Sequence, residues 1–158
     1  MKKINQLFAT VLFLGIFSFS TLQSNAHCEI PCGIYGDSVR VALLYEHIAT
    51  IEKSMNQINE LSKSEKPDYN QLVRWVVNKE EHAQKIQDIV SQYFLHQRVK
   101  PTTSDNEEAY RKYIKQLELL HNILVFAMKS KQSTDLAHIE TLREKVHNFE
   151  HAYFGDKH

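Results

Sequence analysis

The chain has 158 residues with 19 Lys plus Arg against 19 Asp plus Glu, one ordinary domain's length and a formal charge of zero, without the basic excess expected of a nucleic-acid binder. Four Gly, three Pro, 24% charged and 42% hydrophobic residues exclude collagen-like, low-complexity and disordered classes. Two Cys are too few for a disulfide scaffold and nine His are more than a neutral domain of this size needs, so metals and redox state become the questions.

The first element, residues 1–26, reads as a secretory signal. Lys2 and Lys3 precede an apolar run from Leu7 to Phe19, and Ser24-Asn25-Ala26 places small residues at positions minus three and minus one. The run is shorter than the roughly 20 apolar residues of a spanning helix, so the expected product is exported, periplasmic or extracellular, with no membrane segment after signal removal. His27 ahead of Cys28 argues against a lipoprotein, whose processing wants a small residue there and cleavage directly before the Cys. Cleavage after Ala26 removes two lysines and no acid, leaving 132 residues with 17 basic against 19 acidic side chains.

Residues 27–37 form a short hook, His27-Cys28-Glu29-Ile30-Pro31-Cys32-Gly33-Ile34-Tyr35-Gly36-Asp37. Processing would expose a free amine on His27, so that an amine, an imidazole, a backbone amide and the Cys28 thiolate lie within two residues. The amine and the next amide nitrogen close a five-membered chelate ring, and the Cys28 sulfur closes a second. Such a compact nitrogen and sulfur set suits nickel(II) or copper(II) better than tetrahedral zinc, which would want further ligands nearby. Cys32 offers a second sulfur after a turn in which Pro31 fixes one backbone angle and Gly33 tolerates unusual ones. A Cys28–Cys32 disulfide is also geometrically plausible in an oxidising compartment. The C-x-x-x-C spacing is not that of a thioredoxin-like site, and no βαβ pattern surrounds it.

From Ser38 onward the apolar residues keep a helical period. Val41, Leu44, Ile48, Ile51, Met55 and Ile58 make one stripe, with Asp37-Ser38 as the expected cap and Ser62 to Asp68 as the end. A second helix is expected from Tyr69 to about His96 on Leu72, Val76, Ile86, Ile89, Val90, Tyr93 and Phe94, followed by the longest loop, Val99 to Asn106. Tyr110, Tyr113, Leu117, Leu120, Leu124 and Met128 give a third, and Leu136, Ile139, Leu142, Val146, Phe149 and Tyr153 a fourth. No segment shows the two-residue alternation of a strand. The expectation is an all-α fold, an antiparallel four-helix bundle over 38–154 behind the hook.

Two further motifs lie on these helices. Glu118-x-x-His121 and Glu144-x-x-His147 have the spacing of di-iron bundles, but they sit off the apolar stripes, and Glu144 shares a polar flank with Glu140, His147 and His151. His147-Asn148-Phe149-Glu150-His151 fits the H-x-x-E-H spacing of some zinc peptidases, without a scaffold around it, and reads as a solvated helix face. Trp75 and the other aromatics read as core or interface packing.

The run His27-Cys28-x-x-Pro31-Cys32-Gly33-x-Tyr35 resembles the N-terminal hook of nickel superoxide dismutases. The stretches Glu52-Lys53-Ser54-Met55, Gln71-Leu72-Val73-Arg74-Trp75-Val76, Ser91-Gln92-Tyr93-Phe94 and Ala127-Met128-Lys129 are similar to family segments, so the resemblance covers the mature chain, 27–158. It implies a nickel ion held by the amine and imidazole of His27, the amide and thiolate of Cys28 and the thiolate of Cys32, with Pro31 and Gly33 shaping the turn. It also implies a helical bundle assembled as a homohexamer, disproportionation of superoxide to dioxygen and hydrogen peroxide, and Tyr35 over the open face of the metal. Two thiolates and an ionised amide are the strong donors that make nickel redox chemistry accessible. The sequence departs from the family pattern where a glutamate of the first helix and an arginine of the second, from a neighbouring subunit, hold the axial histidine. Those positions fall near Leu43 or Leu44 and near His82, and Glu46, His47, Arg74 and His82 are the nearest polar candidates to orient the ligand. The reading from another class is an exported metal-binding or disulfide-stapled helical module without turnover.

Overall fold

The computed structural model describes residues 35–155. The signal segment and the hook residues His27, Cys28, Pro31, Cys32 and Gly33 lie outside the described residues. Helix α1 runs Asp37–Leu61, α2 Tyr69–Asp88, α3 Glu107–Gln132 and α4 Ala137–Phe154; a π-helical segment, Ile89–Arg98, continues directly from α2. There is no strand among the described residues. The helices run up and down in turn, α1 packed on α2 and α4, and α3 on α4 and α2, which closes a four-membered ring around one core.

Local chemistry sets most of the boundaries. The Asp68 side chain accepts from the Gln71 amide at 3.1 Å and starts α2, and Asn106 does the same for α3 through the Ala109 amide at 3.1 Å. Asp135 accepts from the Ala137 amide at 3.0 Å where α4 begins. The start of α1 differs from the sequence expectation: Gly36 is the residue before the first turn, and no side chain caps it. Asp37 is used elsewhere.

All six expected stripe residues of α1 are buried, as are Ile139, Leu142, Val146 and Phe149 of α4. Two phases needed correction. On α2 Val76 is exposed, and the inward face of that half is made by Lys79, Ala83 and Ile86. On α3 Tyr110 and Met128 are exposed, Leu117 and Leu124 are only part-buried, and the seam runs through Leu119, Leu120, Ile123 and Ala127. Both helices are apolar on more than one flank, so periodicity alone could not choose which flank turns inward.

One cation lies inside the bundle. Lys79, 3% exposed, donates to the carbonyls of Ser130 at 2.8 Å, Lys131, and Ser133 at 3.4 Å, with Glu80 at 3.2 Å. The ammonium thus satisfies the carbonyls that the end of α3 leaves open and sits at the negative end of that helix's dipole.

The π segment shows its register in the Val99 amide, which donates to the Phe94 carbonyl five residues back at 2.8 Å. Phe94 stands edge-on to Phe149 at 4.9 Å and to Tyr153 at 5.6 Å, which fastens the segment to α4.

A cleft and a carboxylate node where the chain enters the bundle

The start of α1, the π segment and the end of α4 share one end of the bundle, where Tyr35 brings the chain in. The Tyr35 ring is 42% exposed, and the Arg40 guanidinium lies over it at 4.1 Å from the ring centre. Its carbonyl accepts from the Tyr93 hydroxyl at 2.7 Å.

Asp37, in the first turn of α1, binds three side chains from two other elements. Its Oδ1 accepts from the Tyr93 hydroxyl at 2.5 Å and from Arg98 Nε at 2.7 Å, and its Oδ2 accepts from the Tyr153 hydroxyl at 2.9 Å. Burial by itself would raise the Asp37 pKa, but the hydrogen bonds from Tyr93, Tyr153 and Arg98 outweigh it and hold the carboxyl below its usual range. The same contacts work in reverse on the phenols. Burial and the bond to Asp37 push Tyr153 up to about 12, and Tyr93 upward as well.

Beside this node a cleft of about 280 Å³ opens between α1 and the junction of α2 with the π segment, lined by Arg40, Leu43 and His47 on one side and Lys85, Asp88, Gln92 and Tyr93 on the other. Steps of three and four put Arg40, Leu43 and His47 on one helix face, next to the buried stripe of Val41, Leu44 and Ile48. Leu44 is fully buried, so of the two leucines only Leu43 reaches the cleft. The Arg40 Nε is buried and has no hydrogen-bond partner among the described residues.

His47 meets His82 of α2 with the two Nδ1 atoms 3.1 Å apart and the rings edge to face. Burial first, then the neighbouring His82 and the cation of Lys85, push His47 down to about 4. Burial and Lys85 lower His82 too. Both imidazoles are therefore neutral at physiological pH.

Of the four polar candidates read from the sequence, the structure brings together His47 and His82. Glu46 is exposed one position along α1, and Arg74 sits about two turns from His82 toward the start of α2, beside Gln71, Trp75 and Asn78. The sequence reading missed Arg40, Asp37, Tyr93, Arg98 and Lys85. The spacing of Arg40, Leu43 and His47 was visible, but nothing local said that this flank faces α2. Glu118, His121, Glu144 and His147 are all exposed, which removes the inward geometry that a di-iron site requires. Among the described residues no group of three or more His, Cys, Asp or Glu side chains is placed to hold a metal ion. No described helix is long and apolar enough to cross a membrane.

Compared with known families, the chain matches the model of nickel-containing superoxide dismutase over residues 22–157, a range that includes the hook. No curated protein and no solved structure gives a significant match.

Proposed function

The chain belongs to the nickel-containing superoxide dismutase family, and on that premise we propose that His27, Cys28 and Cys32 hold the nickel, with Tyr35 positioning superoxide at the centre. The enzyme is an oxidoreductase with a nickel cofactor that converts two superoxide ions and two protons to dioxygen and hydrogen peroxide. The observation that carries the site assignment is that the family match spans the His-Cys-x-x-Pro-Cys-Gly-x-Tyr run, whose donors suit nickel. Nickel bound there supplies the one-electron couple that disproportionation needs.

The remaining chemistry belongs to the chain. The Tyr35 hydroxyl can donate to an anion, and Arg40 and Lys85 bring two positive charges to the cleft against the one carboxylate of Asp88. A mature chain with slightly more acid than base gives superoxide no overall attraction, so steering falls to these local groups. The buried Arg40 Nε, without a partner among the described residues, is a costly group to leave unpaired. His47, which lines the same cleft and is paired with His82, replaces with it the family's missing carboxylate and guanidinium as a neutral partner for the His27 imidazole.

Export with removal of residues 1–26, to a periplasm or outside the cell, is part of the same reading, because the amine of His27 must be free. So is a homo-oligomer, a hexamer by family resemblance. Tyr69, Val73, Val76 and Val77, at 72, 61, 40 and 48% exposure, lie on one face of α2 and give it an apolar surface to bury.

The test is to purify the mature protein, confirm His27 as its first residue by mass, load nickel and measure superoxide consumption. Adding one residue before His27 should abolish activity and leave the helical circular-dichroism spectrum unchanged. Full turnover in the extended protein would sink the amine-ligand assignment. A verified nickel load without turnover would favour the metal-binding module instead.

A further inference from the structure

We infer that Asp37, gripped by Tyr93, Tyr153 and Arg98, is a positioning residue that fixes where the hook leaves the bundle and so how Tyr35 is presented. This inference rests on the reading of the hook as the nickel site.

The first reason is that the carboxylate does not do what its place in the chain suggests. An acid in the opening turn of a helix ordinarily bonds the free backbone amides there, and α1 has no such side-chain cap. Both oxygens of Asp37 are committed to side chains 56, 61 and 116 residues away in the sequence.

The second reason is the backbone of its partners. Tyr93 and Arg98 are five residues apart, which in an α-helix would point them about 140° away from each other. In the π segment Ile89–Arg98 the wider turn brings positions five apart closer in angle, and both side chains reach the same oxygen of Asp37. π-Helical turns are rare and gather at functional sites. Here the register serves the node directly.

The third reason is what the node holds. The single hydroxyl hydrogen of Tyr93 faces two acceptors, Asp37 Oδ1 at 2.5 Å and the Tyr35 carbonyl at 2.7 Å, so one phenol is shared between the carboxylate and the Tyr35 backbone. From the other side Arg40 covers the rings of Tyr35 at 4.1 Å and Tyr93 at 5.6 Å. Tyr35 is thus fixed by its backbone through Tyr93 and by its ring through Arg40. A reacting group displaced by about 1 Å can lose on the order of a hundredfold in rate, so a clamp at this point matters to turnover.

The experiment compares nickel-loaded wild type with Asp37→Asn, Tyr93→Phe and Tyr153→Phe by nickel content, thermal unfolding, the electron paramagnetic resonance spectrum of the oxidised metal, and turnover per nickel. Tyr93→Phe removes the hydroxyl that touches both Tyr35 and Asp37, whereas Tyr153→Phe removes a bond to Asp37 alone. All three should keep one nickel per chain. Turnover should fall roughly three- to tenfold in Asp37→Asn and Tyr93→Phe, the loss expected when the Tyr35 hydroxyl is out of place, with a broadened or shifted spectrum, and by less than about threefold in Tyr153→Phe. If Asp37→Asn does not fold, the two phenylalanine variants decide the question by the same ranking. Variants that lose thermal stability but keep the wild-type spectrum and turnover per nickel would overturn the positioning role and leave the hook assignment standing. A mature wild type that takes up no nickel would remove the hook assignment itself, and the inference with it.

Discussion

Asp37 and Lys79 are each an ion gripped by several partners, toward opposite ends of the bundle, and the partners differ in kind. Beyond its neighbour Glu80, Lys79 binds backbone carbonyls at the close of α3, groups that every sequence has and that do not titrate. Asp37 binds two phenols and a guanidinium, which only particular residues in a particular register supply. The first arrangement completes a helix. The second fixes the point where the chain enters the bundle, beside a cleft lined by His47. A charge satisfied by the backbone speaks about the fold, and one satisfied by chosen side chains is a better pointer to the site.

Breaking each end separately tests that division. The largest effect belongs to the hook: Cys28→Ser or Cys32→Ser should abolish nickel-dependent superoxide consumption, with the melting temperature of the bundle unchanged. At the other end Lys79→Met leaves buried carbonyls without a donor and should cost about 3 kcal/mol in denaturant unfolding, while turnover per loaded, folded chain stays at the wild-type value. Loss of specific activity in Lys79→Met would erase the contrast between the two ends.

The cleft adds a pH test. His47 has its pKa lowered to about 4, so the fold favours its neutral form. The stability this contributes is complete above the ordinary histidine value near 6.5 and is lost as pH falls toward about 4. Melting curves at pH 7 and pH 4.5 should show a loss that shrinks in His47→Gln, which keeps a neutral polar side chain and cannot ionise. The mildest of the hook substitutions is Tyr35→Phe, which removes one hydrogen bond to an anion and should slow turnover roughly three- to tenfold with nickel still bound, as steady-state kinetics would show. Complete loss would mean that the phenol does more than position.

The parts of the fold that depend on one clear stripe were legible in advance. α1 and α4 each carry a single apolar line, and every fully buried stripe residue on them was expected. The phases of α2 and α3 were not legible, because Val73, Val76 and Val77 compete with Ala83 and Ile86, and Tyr110 and Met128 compete with Leu119 and Ile123. The π segment was hidden for another reason: Ile89, Val90, Tyr93 and Phe94 satisfy an α-helical pattern, and the change of register appears only at Phe94 and Val99. At the site the hook could be read because its chemistry is local, a few donors in succession. Asp37 with Tyr153, or His47 with His82, is a contact between residues far apart in the chain, which no spacing rule announces. His47 and His82 were both named from the sequence as neighbours of the metal ligand, but their meeting needed the antiparallel packing of α1 on α2.

That meeting carries one more consequence, in the counting of hydrogens. Two imidazoles whose Nδ1 atoms face each other at 3.1 Å cannot both carry a hydrogen there, nor can both be bare. One ring must be the Nδ1–H tautomer and the other the Nε2–H tautomer. Their outer nitrogens are then unlike, one a lone pair and one an N–H. The pair is chemically asymmetric although its two members are the same amino acid, and nitrogen-15 chemical shifts would tell which ring is which.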